Sequence, residues 1–456
     1  MRENGVSGKK YFARFWSGLQ RRWRWLLILI FAAASAAGAP HLWAWYHFRA
    51  GRSALERYHA EEAHTHLNAC LKVWPQSGQT QLLAARAARR VGLFNEAAEH
   101  LEKCQRLLGS SSPDRLLEQT LLQAASGNID HHLEEYLFSR LRNDVAQRPL
   151  IVEALTEGYL RKSRPPAAYF CLVPWLESQP DNVQALFLRA RCWRGMHQPA
   201  KAAADFHRVM ELDPQRHDAR REAALCLMET GQYGEAAEHL EEIDRWQPGD
   251  PEVLVRLASC QIELGQKLPA QEILDRVLQE HPDHGLALRQ RGRLALREGQ
   301  ADKAENWLRQ AVRILPNDYP ANVSLAESLQ QQGKIAEAQT QQERARKLRK
   351  RLDRLRELED QMSSRPHDPS LLCELGTLLI SLGCVDAGLT WLQSTLDEDP
   401  YYRPAHAALV EYYEKQGDTT RAAYHRQLAQ GTSRQGQVDS SPRLNASDAS
   451  LQSAPP

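Results

Sequence analysis

Eight cysteines and seventeen histidines are the side chains of this 456-residue sequence with the greatest capacity for chemistry. Thiolates and imidazoles at short, regular spacing hold metals, and paired thiols form disulfides or redox centres. The spacing here suits none of these. There is no Cys-x-x-Cys pair, which excludes zinc ribbons and thioredoxin-type exchange. Instead Cys192, Cys226 and Cys260 recur every 34 residues, as do Cys70 and Cys104. Equivalent sites on successive packed helices lie about 8–10 Å apart. A disulfide spans Cα atoms within roughly 7 Å, so these thiols read as small core residues. Cys373 and Cys384, eleven apart, are the one pair whose spacing would allow a bridge. The histidines also follow a repeat, since Glu96-Ala-Ala-Glu-His100-Leu-Glu returns as Glu235-Ala-Ala-Glu-His239-Leu-Glu. His131-His132 with Glu134 and Glu135 lacks the i, i+4 histidine spacing of a zinc-protease helix and reads as a solvated helix start. No phosphate-cradling glycine loop or nucleophile elbow occurs. The sequence therefore predicts no catalytic, cofactor-binding or metal-ligating residue, and no enzyme.

What positions these residues is a period. Pro180, Pro214, Pro248, Pro282 and Pro316 stand 34 apart, as do Pro366 and Pro400, and Pro75 occupies the same kind of site. Ten residues after each anchor stands a small residue: Ala85, Ala190, Ala224, Ala258, Gly292, Ala326 or Gly376. Seventeen after comes Gly92, Gly231, Gly265, Gly299, Gly333, Gly383 or Gly417. Twenty-two after comes Ala97, Ala202, Ala236, Ala270, Ala304, Ala338 or Ala422, and twenty-six after a large apolar residue such as Phe206 or Leu240. Each glycine is placed to end one helix and each proline to end a second. The small residues allow the two backbones to approach, and the large one fills the seam beside them. Sparse β-branched residues and abundant Leu, Ala, Gln, Glu and Arg agree with an all-helical chain. With 58 basic and 57 acidic side chains the net charge is +1, so no nucleic-acid partner is expected; a hydrophobic content of 42% excludes a wholly disordered chain.

The 34-residue pattern resembles the tetratricopeptide repeat family over roughly residues 44–430. The resemblance implies an all-α solenoid, a right-handed superhelix of helix–turn–helix units that docks other proteins or peptides on a concave groove. In that family the groove-facing sites lie about seven, eleven, fourteen and fifteen residues after the anchor. Here they read Leu82, Arg86, Arg89 and Arg90, then Phe187, Arg191 and Arg194, then Arg221, and then Arg289, Arg293 and Arg297. Arginine forks match carboxylates, so acidic peptides or a free C-terminus fit such a groove. Two alternatives stand beside this: an accessory subunit holding an anionic substrate or polymer, or arginines paired internally with acids of the next unit. The family's Lys/Asn carboxylate clamp is absent, because its asparagine site reads Arg86, Arg191, Leu225, Ser259 and Arg293.

The flanks divide the chain further. Residues 1–24 carry seven basic side chains against one acid, and residues 25–46 follow without an acid, Lys or Arg. That run predicts a single transmembrane helix between aromatic belts, with a cytoplasmic N-terminus and a body on the periplasmic side; the alternatives are a cleaved signal and a buried core helix of a soluble domain. Membrane-anchored bacterial envelope proteins with these repeats are similar, which implies a non-catalytic scaffold or adaptor in the cell envelope. The repeat array is expected over 47–350, with degenerate units at 110–180. An extended linking helix is expected over 335–363, a C-terminal repeat pair over 364–430, and a disordered tail over 431–456. In the long helix, the stripe Ala345, Leu348, Leu352, Leu355 and Met362 would serve either intrachain packing or self-association through 345–362. Its basic side chains, from Arg344 to Arg356, would be a solvated face or a docking surface for an acidic partner or anionic lipid.

Overall fold

The computed structural model describes residues 38–430, apart from 110, 163 and 363. Among the described residues there is no strand; the chain is a succession of helices joined by short turns. It divides into two compact units inside the helix Arg148–Arg161, between Gly158 and Tyr159.

In the first unit a helix over 38–56 pairs with Ala60–Leu71, and Gly78–Val91 pairs with Phe94–Leu108. Pro113–Ala125, His131–Asn143 and the start of Arg148–Arg161 complete it. In the second unit Pro165–Ser178 precedes seven helical hairpins. They are Val183–Gly195 with Pro199–Leu212, His217–Glu229 with Tyr233–Trp246, Pro251–Glu263 with Lys267–Glu280, Gly285–Arg297 with Ala301–Ile314, Tyr319–Gln331 with Ile335–Met362, Pro369–Ser381 with Val385–Glu398, and Arg403–Gln416 with Thr419–Ala429. Each helix of this series packs chiefly on its neighbours in sequence, as expected when no single hairpin can bury its own apolar faces.

The recurring residues do what their register demands. All seven glycines at the turn have φ between 74 and 90°, the left-handed region that only glycine enters without penalty. Two units lack glycine there and hold Tyr58 and His197, at φ 63 and 56°. The alanines at the crossing points, from Ala85 and Ala97 to Ala304, are sealed from solvent, and Phe206, Leu240, Leu274, Leu308 and Leu392 fill the seams beside them. Backbones also approach closely between Gly376 and Gly388, where a Cβ on Gly376 would stand 2.8 Å from the Gly388 carbonyl oxygen.

A polar latch also recurs six residues after the anchor. Gln81 Nε2, Asn322 Nδ2 and His406 Nε2 donate to the carbonyls of Pro75, Pro316 and Pro400 at 3.0, 3.2 and 3.0 Å. The opposite edge of each side chain meets a residue of the second helix: His100 at 2.6 Å, Gln341 at 2.5 Å and His425 at 2.9 Å. The latch thus satisfies a carbonyl left open at the helix break and ties both helices of the hairpin together.

The membrane assignment is corrected. Among the described residues no helix is long and apolar enough to cross a membrane. Residues 25–37 of the expected span, like the basic segment 1–24 and the tail 431–456, lie outside the described residues. The described remainder, 38–46, opens a helix that continues through Arg49, Arg52 and Glu56. That helix is committed to protein packing: Ala54 and Leu55 join Ala63, Leu67, Ala84 and Ala87 in one core cluster. The single-pass membrane placement, with a cytoplasmic N-terminus and a periplasmic body, goes with the span.

Seven of the eight cysteines are buried and Cys384 is exposed, and Cys373 and Cys384 form no bridge. Burial raises the thiol pKa of Cys226 and Cys260 to about 11, which keeps them protonated and inert at neutral pH. Among the described residues no cluster of three or more His, Cys, Asp or Glu side chains is arranged to hold a metal.

Candidate functional site

The first helix of each hairpin carries the residues assigned to the groove, and the structure gives each a neighbour. In the first unit Arg86 and Arg89 converge on Glu118, their Nε atoms donating to its two oxygens at 2.9 and 2.6 Å. Glu118 and Arg89 are almost wholly buried. Burial alone would raise the Glu118 pKa, but the Arg89 and Arg86 guanidiniums outweigh it and hold the carboxyl at about 2. Arg90 donates to Glu153 at 2.8 Å and to the Leu55 carbonyl at 2.7 Å, with its guanidinium 4.7 Å from the centre of the Tyr58 ring. Leu82 lies in the core with Ala85 and Leu101.

In the second unit the pattern repeats between adjacent hairpins. Arg194 pairs with Glu222. Arg289 donates to Asp318 at 2.6 Å, and Arg221 lies 3.9 Å from Asp250. Asp250 and Asp318 also cap the first helices of the following hairpins, each accepting a backbone N–H. Arg293 and Arg297 both donate to Glu263 of the preceding hairpin, at 2.9 and 3.0 Å on one oxygen, and Arg297 also to the Ile262 carbonyl at 2.8 Å. Burial would raise the Glu263 pKa, yet the Arg297 and Arg293 contacts bring it down. Arg191 is half-buried and engaged as well. Phe187 is buried edge-on against Phe206, with the Arg216 guanidinium 4.5 Å above its ring.

The structure therefore brings the arginines together in twos and ones around carboxylates, not around an open anion site. The residues that sequence reasoning missed are these acids: Glu118, Glu153, Glu222, Asp250, Glu263 and Asp318. A signal existed for two of them. Arg221 and Arg289 each stand 29 residues before an aspartate at the same register position, Asp250 and Asp318. Glu153, 63 residues from Arg90, had none.

Between the neutralised arginines, apolar first-helix side chains keep partial access to solvent. Leu225, Met228, Leu296 and Ile380 are half-buried at the eleventh and fourteenth register positions, and Val323, at the seventh, is 39% exposed. The strip thus offers apolar contact and side-chain hydrogen-bonding groups of fixed geometry.

A model of the tetratricopeptide repeat family matches residues 194–253 and 227–292. A TPR repeat-containing protein of Pseudomonas aeruginosa is 24% identical over 245 residues, covering 53% of this chain and 35% of its own length. The interferon-induced protein with tetratricopeptide repeats 2 of Cricetulus griseus is 26% identical over 165 residues, covering 36% and 35%. This chain thus spans about a third of the length of these relatives. Among solved structures, that of PilW, a widely conserved type IV pilus biogenesis factor, aligns at 18% identity with a TM-score of 0.38, over 42% of this chain and 89% of that one. The family match supports tetratricopeptide repeats in this chain, a fold that mediates protein–protein interaction.

Proposed function

We propose that the chain is a non-catalytic scaffold or adaptor that binds partner proteins by laying their peptide segments along the first helices of the second unit. The observation that supports it is the alternation of half-exposed apolar side chains, Leu225, Met228, Leu296 and Val323, with arginines whose charge is already met by carboxylates. Such a strip rewards apolar anchors, and its paired guanidiniums contribute orientation at the rim more than attraction. The alternative, an Arg-rich groove for an anionic substrate or polymer, needs guanidiniums that a ligand can capture. A ligand carboxylate at Arg293 and Arg297 would have to displace Glu263 first.

The test is capture of cross-linked partners by the full chain, compared with Leu225→Glu/Met228→Glu and with Arg293→Gln/Arg297→Gln. The scaffold reading expects partners that persist at high salt, are lost with the first variant and are largely kept with the second. Partners that wash off with salt and depend on Arg293 and Arg297 would overturn it in favour of the anionic ligand.

A further inference from the structure

Outside the first-helix strip, the helix Ile335–Met362 carries a run of cations of which several have no acidic partner among the described residues. Along the helix Ile335–Met362, residues 344–351 hold six basic side chains and no acid. Ala345 and Leu348 turn inward and are buried. Lys347, Lys350 and Arg351 share the opposite, solvent-facing side at i, i+3 and i+4, and none forms an ion pair among the described residues. Arg346 beside them is 73% exposed and reaches Glu343 only at 3.7 Å. Other basic side chains of the helix behave differently: Arg349, within the run, and Arg356 meet Asp353 at 3.1 Å, and Arg354 is held by Glu374 and Glu357. Like charges at these spacings cost a helix a few tenths of a kcal/mol per pair. Packing therefore gives no account of this cluster.

The length of the patch restricts what fits. Glu343 stands before it and Asp353 after it, so the positive strip runs for about 12 Å at 1.5 Å per residue. A nucleic-acid backbone or an anionic bilayer stays negative well beyond that distance and would press against the flanking acids. A peptide with three or four carboxylates in a short run ends where the strip ends.

We propose that the outer face at Lys347, Lys350 and Arg351 docks a short acidic segment of a partner protein. This goes beyond peptide docking on the first helices and uses a separate surface, so either can fail alone. Lysine ammonium groups on flexible stems suit carboxylates of variable spacing, and Arg351 adds a planar fork. Mutually exposed ion pairs give modest affinity and strong salt dependence.

The experiment is fluorescence anisotropy of a labelled twelve-residue peptide bearing four consecutive glutamates, titrated with the full chain at low and at elevated salt. A glutamine version, a single-stranded oligonucleotide and phosphatidylserine vesicles serve as comparators. The expected result is saturable binding of the acidic peptide, weakened at least about tenfold by Lys347→Glu/Lys350→Glu/Arg351→Glu and by salt. It should be unchanged in Arg293→Gln/Arg297→Gln and in Leu225→Glu/Met228→Glu. The proposal is overturned by equal binding to the charge-reversed chain, by loss in the Arg293/Arg297 variant instead, or by no saturable binding. Tighter charge-dependent binding of the oligonucleotide or the vesicles to the same three residues would also overturn it. Circular dichroism of each variant confirms that the exposed substitutions leave the helices intact.

Discussion

Replacing Glu118 with Gln tests whether the arginines of the first unit are structural. The carboxylate sits at 1% exposure between Arg89 and Arg86, and Arg89 itself is 3% exposed. Removing one partner of a buried pair leaves an uncompensated charge, which costs about 3–5 kcal/mol. Glu153 and Glu157 also favour the charged form of Arg89, so the lower end applies, about 3 kcal/mol. In hydrogen exchange this corresponds to amides of Gly78–Val91 and Pro113–Ala125 exchanging about 100-fold faster, at 1.4 kcal/mol per decade. The same helices should lose protection in acid. Because the folded pKa of Glu118, about 2, lies below its ordinary 4.5, its contribution is complete above pH 4.5 and fades as pH falls through 2. Arg86→Met/Arg89→Met/Glu118→Leu, which removes the whole cluster, should recover most of the loss. A change under about 1 kcal/mol for Glu118→Gln would refute the reasoning, since an exposed pair has that value.

Three further outcomes follow from the repeat register. His197→Gly should stabilise the second unit by about 1 kcal/mol in chemical denaturation, because a side chain at φ 56° is strained where every other unit from Gly231 to Gly417 has glycine; an unchanged midpoint would contradict it. Gly376→Ala should cost about 1–3 kcal/mol, since its Cβ would meet backbone at Gly388. Gly234→Ala, on an open helix face, should instead gain about 0.5–1 kcal/mol, and equal shifts would show that the close crossing is irrelevant. His425 is driven down to about 4 by burial first, then by His406 and Arg421. A depressed histidine pKa means that stability is whole above the ordinary 6.5 and declines as pH drops towards 4. The helices Arg403–Gln416 and Thr419–Ala429 should lose exchange protection over that window, and His425→Leu should remove the dependence.

The hairpins were legible because each depends on a local rule. Gly231 ends a helix wherever it occurs, and Ala224 against Ala236 sets the crossing without reference to distant residues. The long helix to Met362 runs through the place where the proline is missing, and two residues of its stripe, Leu355 and Met362, pack with Leu371, Leu372, Leu375 and Trp391. The site was less legible. A sequence shows that Arg293 and Arg297 share a face, but not that Glu263, 30 and 34 residues earlier, swings between them. Charge partners across units depend on how hairpins stack, which no local pattern encodes. Residues 38–46 are apolar in composition, but the charged turns that follow carry the helix over 38–56 into the protein core.

The most direct measurement of the docking account is site-specific photo-cross-linking from positions 225, 228 and 296 on first helices. Positions 211 and 241, on the exposed sides of second helices, serve as references. Partner adducts should form from the first set and be absent from the second. Adducts from the second set alone, or from both equally, would contradict a binding surface built from the first helices.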